Sequence, residues 1–436
     1  MRNSGADKVI YQVFTRNYSE EGTFKKVEED LDRIVDLGVD ILYLMPVQPI
    51  GEVGRKGTLG SPYSISDFRA INPELGDWNS FRELVDAAHK KGLRVIVDQV
   101  FNHSSRDNAL IESNPDFYWH DADGNLGNKA GDWSDVYDLN HGNQDLEDSL
   151  IGTLDLFLKA GVDGFRFDVA SLIPASFFRK FKEFREKNYP DRDITMLAEC
   201  IDTPFVLGTR ADGFNADSNS ELFDAGFDLF YDYASFPWFR KYMRTRKETD
   251  LAAYAAALSL ETASLPARGA AVVRTLENHD QPRLSSYSKG EQLHHNLLAF
   301  SFFTKGPAFV YNGMEYGISH QPSLFDKDTI PMGKEERPGT LKYIKKLMQL
   351  KRREKNLQLV TTLYQDAEGY ALTCVNRYED GSEETGVFNL SENPIPFPFD
   401  SVKEGTYTDI LTRKEIVVKP GETLDLTEPL YLSKKA

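Results

Sequence analysis

The feature that most constrains this chain is an alternation. Short apolar runs and amphipathic helical stretches follow one another eight times before residue 356. Val9 to Phe14 is β-branched and aromatic and reads as a strand. Thr23 can cap a helix through Leu37, with Phe24, Val27, Leu31, Ile34 and Val35 on one face and Gly38 as its stop. Asp40 to Met45 is the next strand, closed by Pro46; Ser80 to Lys91 is a helix, and Leu93 to Val97 strand three. The same rhythm predicts strands leading to Phe167, Ala198, Asp232, Leu276 and Tyr311. The helices after strands three to eight fall at 146–159, 174–187, within the weakly helical 200–224, and at 251–260, 292–303 and 341–353. Repeated strand–helix units of this kind close into a parallel (β/α)8 barrel, an α/β fold.

The chain is longer than one barrel needs. Its 436 residues exceed the roughly 250–300 at which single cores stop growing. Residues 100–144 lack periodicity and are rich in Asn, Asp, Gly and Trp; a structureless loop of that length is improbable, so a small subdomain inserted after strand three is expected. After 356 the period changes to two, in Tyr370–Val375, Gly386–Leu390, Glu415–Val418 and Pro429–Leu432. The expected organisation is a barrel over 1–355, the insertion over 100–144 within it, and a C-terminal antiparallel β-sandwich over 356–436.

A net charge of −17 argues against a nucleic-acid or anionic-membrane partner. Two cysteines, Cys200 and Cys374, fall in different predicted domains, so no disulfide framework is expected. No run reaches the length of a membrane span, and the first residues carry no apolar stretch of signal-peptide length. The expectation is a cytoplasmic protein; oligomeric state is not readable.

Four of the runs end in acids: Asp98, Asp168, Glu199 and, after Glu277-Asn278-His279, Asp280. Strand ends are where barrel chemistry happens, so the four are expected at one mouth, on strands three, four, five and seven. Arg166, two residues before Asp168, points the same way from its strand, and an adjacent guanidinium should keep Asp168 ionised, as a nucleophile requires. Glu199 follows apolar residues with no adjacent base, which favours a raised pKa and a proton donor. Two carboxyls in contrasting environments are what glycoside hydrolysis uses. Read singly, each is one of 68 acidic residues; the joint pattern carries the catalytic reading.

In this order, Asp98-Gln99-Val100-Phe101-Asn102-His103, Gly164-Phe165-Arg166-Phe167-Asp168, Glu199 and Asn278-His279-Asp280 resemble the four motifs of the α-amylase superfamily, glycoside hydrolase family 13. Gly60-Ser61-Pro62-Tyr63, Asp138-Leu139-Asn140 and the stretch Gly306 to Glu315 extend the likeness over nearly the whole chain. The resemblance implies Asp168 as nucleophile, Glu199 as general acid and base, and Asp280 as stabiliser of the transition state. It implies Arg166 orienting Asp168, Asp98 holding Arg166, His103 and His279 binding the sugar at the cleavage site, and Tyr63 stacking beneath it. The implied activity is α-amylase-like retaining hydrolysis of α-1,4-glucans or malto-oligosaccharides. An α-glucosidase or a glucosyl transferase or isomerase is the alternative, and a non-catalytic carbohydrate-binding barrel the reading outside the class.

The chain also departs from that pattern. Ser171 and Leu172 stand where many starch-degrading members carry Lys-His, and Asp202 stands where an aromatic residue is common. The aspartate-rich loop after strand one is replaced by Asn17 to Gly22. No cofactor or metal is expected, with Asn102 the candidate ligand should calcium bind. Asp121-Ala122-Asp123-Gly124-Asn125 starts like a calcium loop but has Asp132 rather than Glu at its twelfth place, and is read as a turn. His120, His141, His294 and His295 lack site context and are read as surface residues, and Cys200 as a packed small side chain.

Overall fold

The structure, a computed structural model, describes residues 8–129, 133–200, 203–264, 269–351, 360–365, 371–378 and 381–434. Eight parallel strands form one sheet: β1 (Val9–Val13), β2 (Ile41–Leu44), β3 (Arg94–Gln99), β4 (Gly164–Phe167), β5 (Thr195–Ala198), β6 (Leu229–Tyr231), β7 (Ala271–Val273) and β8 (Ala308–Tyr311). β8 pairs with β1, and a parallel bridge between Arg274 and Ala308 joins β7 to β8, so the sheet closes as the predicted barrel. Helices cover its outer face, which is why the strands read as near-continuous apolar runs. The polar residues inside those runs, Gln12 and Tyr43, are fully buried.

Closure depends on a glycine. Gly306 has φ +115°, and a Cβ there would lie 1.8 Å from the Val272 carbonyl oxygen of β7. Only a residue without a side chain lets β8 approach β7 this closely. Gly38 ends the helix Leu31–Leu37 in the left-handed conformation, as its sequence position predicts.

Some elements differ from expectation. The helix expected over 23–37 is broken at Asp30 into Phe24–Glu29 and Leu31–Leu37. β7 ends at Val273; Arg274 keeps a single bridge to Ala308, and the next side chains turn to buried acids: Arg274 pairs with Glu261, and Thr275 Oγ1 donates to Asp232 Oδ1 at 2.7 Å. The weakly helical 200–224 holds two helices, Thr203–Ala211 and Asn219–Asp224, the second with a Ser218–Glu221 capping box. The helix Phe236–Thr245 was not anticipated. His141 and His294 are buried, not on the surface: His141 Nε2 lies 2.8 Å from the Phe101 carbonyl, and His294 Nδ1 lies 2.9 Å from Ser288 Oγ.

The segment after β3 forms its own small sheet, His103–Ser105 against Val136–Asp138, with a short helix Leu110–Ser113 between them. Asp121 Oδ1 accepts the backbone N–H groups of Asp123 and Asn125, an Asx-type turn. The expected boundary at 355/356 and Asp132 and Asp202 lie outside the described residues.

Beyond the barrel lie two antiparallel sheets. One has six strands: Val360–Gln365, Ala371–Arg377, Glu383–Asn389, Leu430–Lys434, Gly405–Asp409 and Glu415–Val418 in spatial order. The other pairs Ile395–Pro398 with Thr423–Leu426. Phe397, Phe399, Tyr407, Val418, Leu426 and Leu432 fill the core between them. The larger sheet packs on the helix Gly290–Phe303 through Phe388 and Tyr431, and Tyr431 Oη donates to the Ala299 carbonyl at 2.5 Å. Cys200 and Cys374 are both buried and form no disulfide. Among the described residues no helix is long and apolar enough to cross a membrane.

The variant Gly306→Ala is expected to lose about 3 kcal/mol or more, because the new Cβ meets backbone that cannot move without opening the barrel. Thermal or denaturant unfolding checks this; a loss under about 0.5 kcal/mol, the range of a neutral surface change, contradicts it.

Candidate active site

Strand register builds the site. Asp98 on β3 lies directly opposite Arg166 on β4, and Arg166 lies opposite Leu197 on β5. Residues two apart share a face. Asp168 therefore follows Arg166 onto the barrel mouth, and Glu199 follows Leu197. Asp280 stands on the loop beyond β7 rather than at a strand end. That loop is fixed by Asn278, whose Oδ1 accepts the Asp280 and Gln281 N–H groups at 2.8 and 3.0 Å. Its other end is held by the buried Arg283–Glu277 pair, 2.7 Å apart.

Arg166 is fully buried and gathers the acids. Nη1 donates to Asp98 Oδ1 and Oδ2 at 2.8 and 3.0 Å and to Asp168 Oδ1 at 2.9 Å. Nη2 lies 2.9 Å from Glu199 Oε1, an ion-pair contact without hydrogen-bond geometry. The guanidinium sits between the rings of Tyr63 and Tyr231, 5.5 and 5.8 Å from their centroids. Asp98 also accepts from Tyr43 Oη at 2.6 Å and Tyr63 Oη at 3.0 Å, so its carboxylate is saturated with donors.

Two electrostatic expectations need correction. Glu199 does have a base beside it, because β4 and β5 are neighbours that sequence distance hides. Asp168 is not held low by Arg166: burial and the Glu199 charge push it well above the usual carboxylate range, with Arg166 pulling back. Glu199 is also raised, by burial first, against Arg166 and the Val169 N–H, which donates to Glu199 Oε2 at 2.8 Å. Such a pair titrates as a unit that holds a proton more firmly than a free carboxyl does. Asp280 is different. Its side chain is 41% exposed, and although desolvation opposes it, the His279 ring 2.8 Å away holds the carboxyl below its usual range.

The Gln12 amide lies 2.8 Å from His279 Nδ1, and His279 Nε2 faces Asp280. Tyr63 Oη is 2.7 Å from the same Nε2, and its ring stacks on His279 at 5.2 Å. Tyr63 is thus a bridge between Asp98 and His279 as well as a wall of the site, not simply an open platform. His103 lies 3.9 Å from Asp168 Oδ2 and is held neutral by burial, down to about 4.

Sequence reasoning missed Gln12, Tyr43, Tyr231 and Trp133. The first three are polar or hydroxyl-bearing residues inside apolar strands, a signal that was there to read. Trp133, from the insertion, has its ring 5.4 Å from that of His103 and touches a small apolar cluster of Leu172, Val206 and Ala216. Val169, next after Asp168, sits at φ +36°, a strained conformation for a β-branched residue. It was not anticipated either.

Asn102 was the candidate calcium ligand, and its surroundings do not fit the metal. Its Nδ2 is 3.3 Å from Asp138 Oδ1 and 3.1 Å from His103 Nδ1. Asp138 is further occupied by the Lys129 N–H at 2.7 Å. Among the described residues no group of three or more His, Cys, Asp or Glu side chains could hold a metal ion.

The family model for the alpha-amylase catalytic domain matches residues 3–125 and 116–371. A solved alpha-amylase from Lactobacillus plantarum is 38% identical, superposes with a TM-score of 0.88, and is covered over 99% of this chain and 100% of its own. A cyclomaltodextrinase from a Bacillus species is 24% identical over 86% of this chain and 69% of its own length. An alpha-1,4-glucan:maltose-1-phosphate maltosyltransferase from Salinibacter ruber is 30% identical over 47% of this chain, which spans only 35% of that relative. With its barrel, its ordered motifs and these matches, the chain belongs to the alpha-amylase family and is a glycoside hydrolase of that family.

Proposed function

We propose that this chain cleaves α-1,4-glucosidic bonds of malto-oligosaccharides or α-glucans with retention of configuration. The observation that carries the proposal is the contact of one buried guanidinium with Asp98, Asp168 and Glu199. The two buried carboxyls titrate together; in this reading Asp168, hydrogen-bonded by Arg166, acts in its ionised form and Glu199 carries the proton. Asp168 Oδ then attacks the anomeric carbon. The bond to the leaving oxygen breaks, and Glu199 gives that oxygen its proton. A β-linked glycosyl ester remains on Asp168. Glu199, now a carboxylate, takes a proton from water, whose oxygen attacks the same carbon and frees Asp168. The product regains the α configuration.

In this reading Asp280, anionic and accessible, accepts hydrogen bonds from the sugar's secondary hydroxyls that strengthen as positive charge grows on the ring. His103 and His279 hold the same sugar. Trp133 and Leu172 present an apolar surface where many starch-degrading relatives are polar, which favours short substrates over long polymers. The likeness to a cyclomaltodextrinase supports that preference.

Asp168→Asn is expected to lower kcat/KM on maltoheptaose by about 10⁴-fold or more. Glu199→Gln is expected to cost about 10²–10⁴-fold, least with substrates whose leaving group needs no proton. Activity left intact in either variant contradicts the assignment.

NMR of the first products of the wild type is expected to show α-anomers; β-anomers would mean inversion and remove the ester intermediate.

The pH profile follows from the same pair. Activity is lost at low pH as the nucleophile protonates and at high pH as the acid loses its proton. Burial raises both partners, so both limbs of kcat/KM are expected above the free-carboxyl range of about 3.9–4.3. An acid limb at or below that range contradicts the account.

A further inference from the structure

Lys129 is placed as few lysines are. It stands in the insertion, half-buried, and its ammonium donates to the Leu139 carbonyl at 2.9 Å while its backbone N–H donates to Asp138 Oδ2 at 2.7 Å. Asp138 Oδ1 meets Asn102 Nδ2 and Asn128 Nδ2 at 3.3 and 3.4 Å. The Leu139 N–H donates to the Asn102 carbonyl at 2.9 Å. Lys129 thus ties its own loop to Asp138 and Leu139 on the returning strand, and these two in turn bond Asn102 on the turn after β3.

The surroundings are those of a cation. Asp138 is buried, and a buried carboxylate needs a compensating charge. Asn102 is 1% exposed, yet its Oδ1 has no hydrogen-bond partner. Turning the amide over would aim that oxygen at the Asp138 carboxylate, so the carboxylate fixes its orientation. Burial raises the Asp138 carboxyl, and the Lys129 ammonium, held on the Leu139 carbonyl, lowers it. Here the chain supplies the positive charge itself.

We infer that Lys129 is the built-in cation of this insertion. It supplies to Asp138 and Leu139 the positive charge that a bound calcium ion would supply, so the fold needs no divalent ion. Through Asp138 and then Asn102, which contacts the His103 ring, it also positions His103 beside Asp168. This second role rests on the proposed catalytic reading of Asp168, whereas the first does not.

The test uses the full chain. Thermal unfolding and maltoheptaose hydrolysis are measured after dialysis against EDTA and again with calcium chloride added. The wild type is expected to keep its Tm and its rate in both conditions. Lys129→Met is expected to unfold at lower temperature and to show KM raised about tenfold, with kcat less affected, and Lys129→Arg to recover part of both. Lys129→Asp, which adds a carboxylate beside Asp138, is expected to gain Tm on adding calcium. A wild type that loses Tm in EDTA and regains it with calcium overturns the inference, as does Lys129→Met with the wild-type Tm and KM. If Lys129→Met does not fold, the wild-type arm still decides. If the catalytic reading alone is wrong, the KM effect disappears while the Tm effects remain.

Discussion

The structure turns on a guanidinium in the floor of the barrel mouth. Arg166 is fully removed from water, and such burial is tolerated only when charge and hydrogen-bonding capacity are met nearby. Asp98 meets most of it, from the residue directly opposite on β3. Asp168 accepts a further hydrogen bond from Nη1 and Glu199 adds charge beside Nη2, from the ends of β4 and β5. The arginine therefore sets the distance between three neighbouring strands and the direction in which their acids point. The Tyr63 and Tyr231 rings flank it, 5.5 and 5.8 Å from its centre. A smaller or more flexible cation could supply the charge but not a rigid planar group that meets three acids at once.

The same hub divides the acids by environment. Asp98 is sealed beneath two tyrosine hydroxyls and the guanidinium, where no substrate reaches it. Asp168 and Glu199 lie at the edge of that burial, each 7% exposed. Asp280 lies outside it, on a loop fixed by Asn278 and Glu277, with His279 holding its charge. Four carboxylates of the same chemistry thus stand in different environments because burial and donor count change across the mouth. The strain at Val169 belongs to this design, since the unusual turn aims its N–H at Glu199.

Much of this was legible in the sequence. The eight strands were readable because buried parallel strands are unbroken apolar runs, and β8 at 308–311 has the span its run predicts. The motif residues were readable because strand ends expose their side chains at one mouth. What escaped were relations across strands. Nothing near Glu199 in the chain announces Arg166; only the pairing of Arg166 with Leu197 brings them together. Without that contact and the burial around it, the direction of the Asp168 shift could not be judged. β7 was overread because Arg274 and Thr275 continue its pattern while their partners, Glu261 and Asp232, sit on other elements. The helix Phe236–Thr245 carries its signal in Pro237, which suits a first helical turn but resembles a loop marker in isolation. His141 and His294 show that a histidine outside any motif can find its partner, a carbonyl or a hydroxyl, in the fold.

The central claim is that Asp168, steered by Arg166, forms a covalent bond to the sugar. A fluorinated α-glucosyl fluoride, which forms such an ester readily but hydrolyses it slowly, allows the bond to be seen by peptide mass spectrometry. The account predicts one added glycosyl group on the peptide that contains Asp168, and none in Asp168→Asn. A label on Glu199 or Asp280, or steady turnover with no labelled peptide, would contradict it.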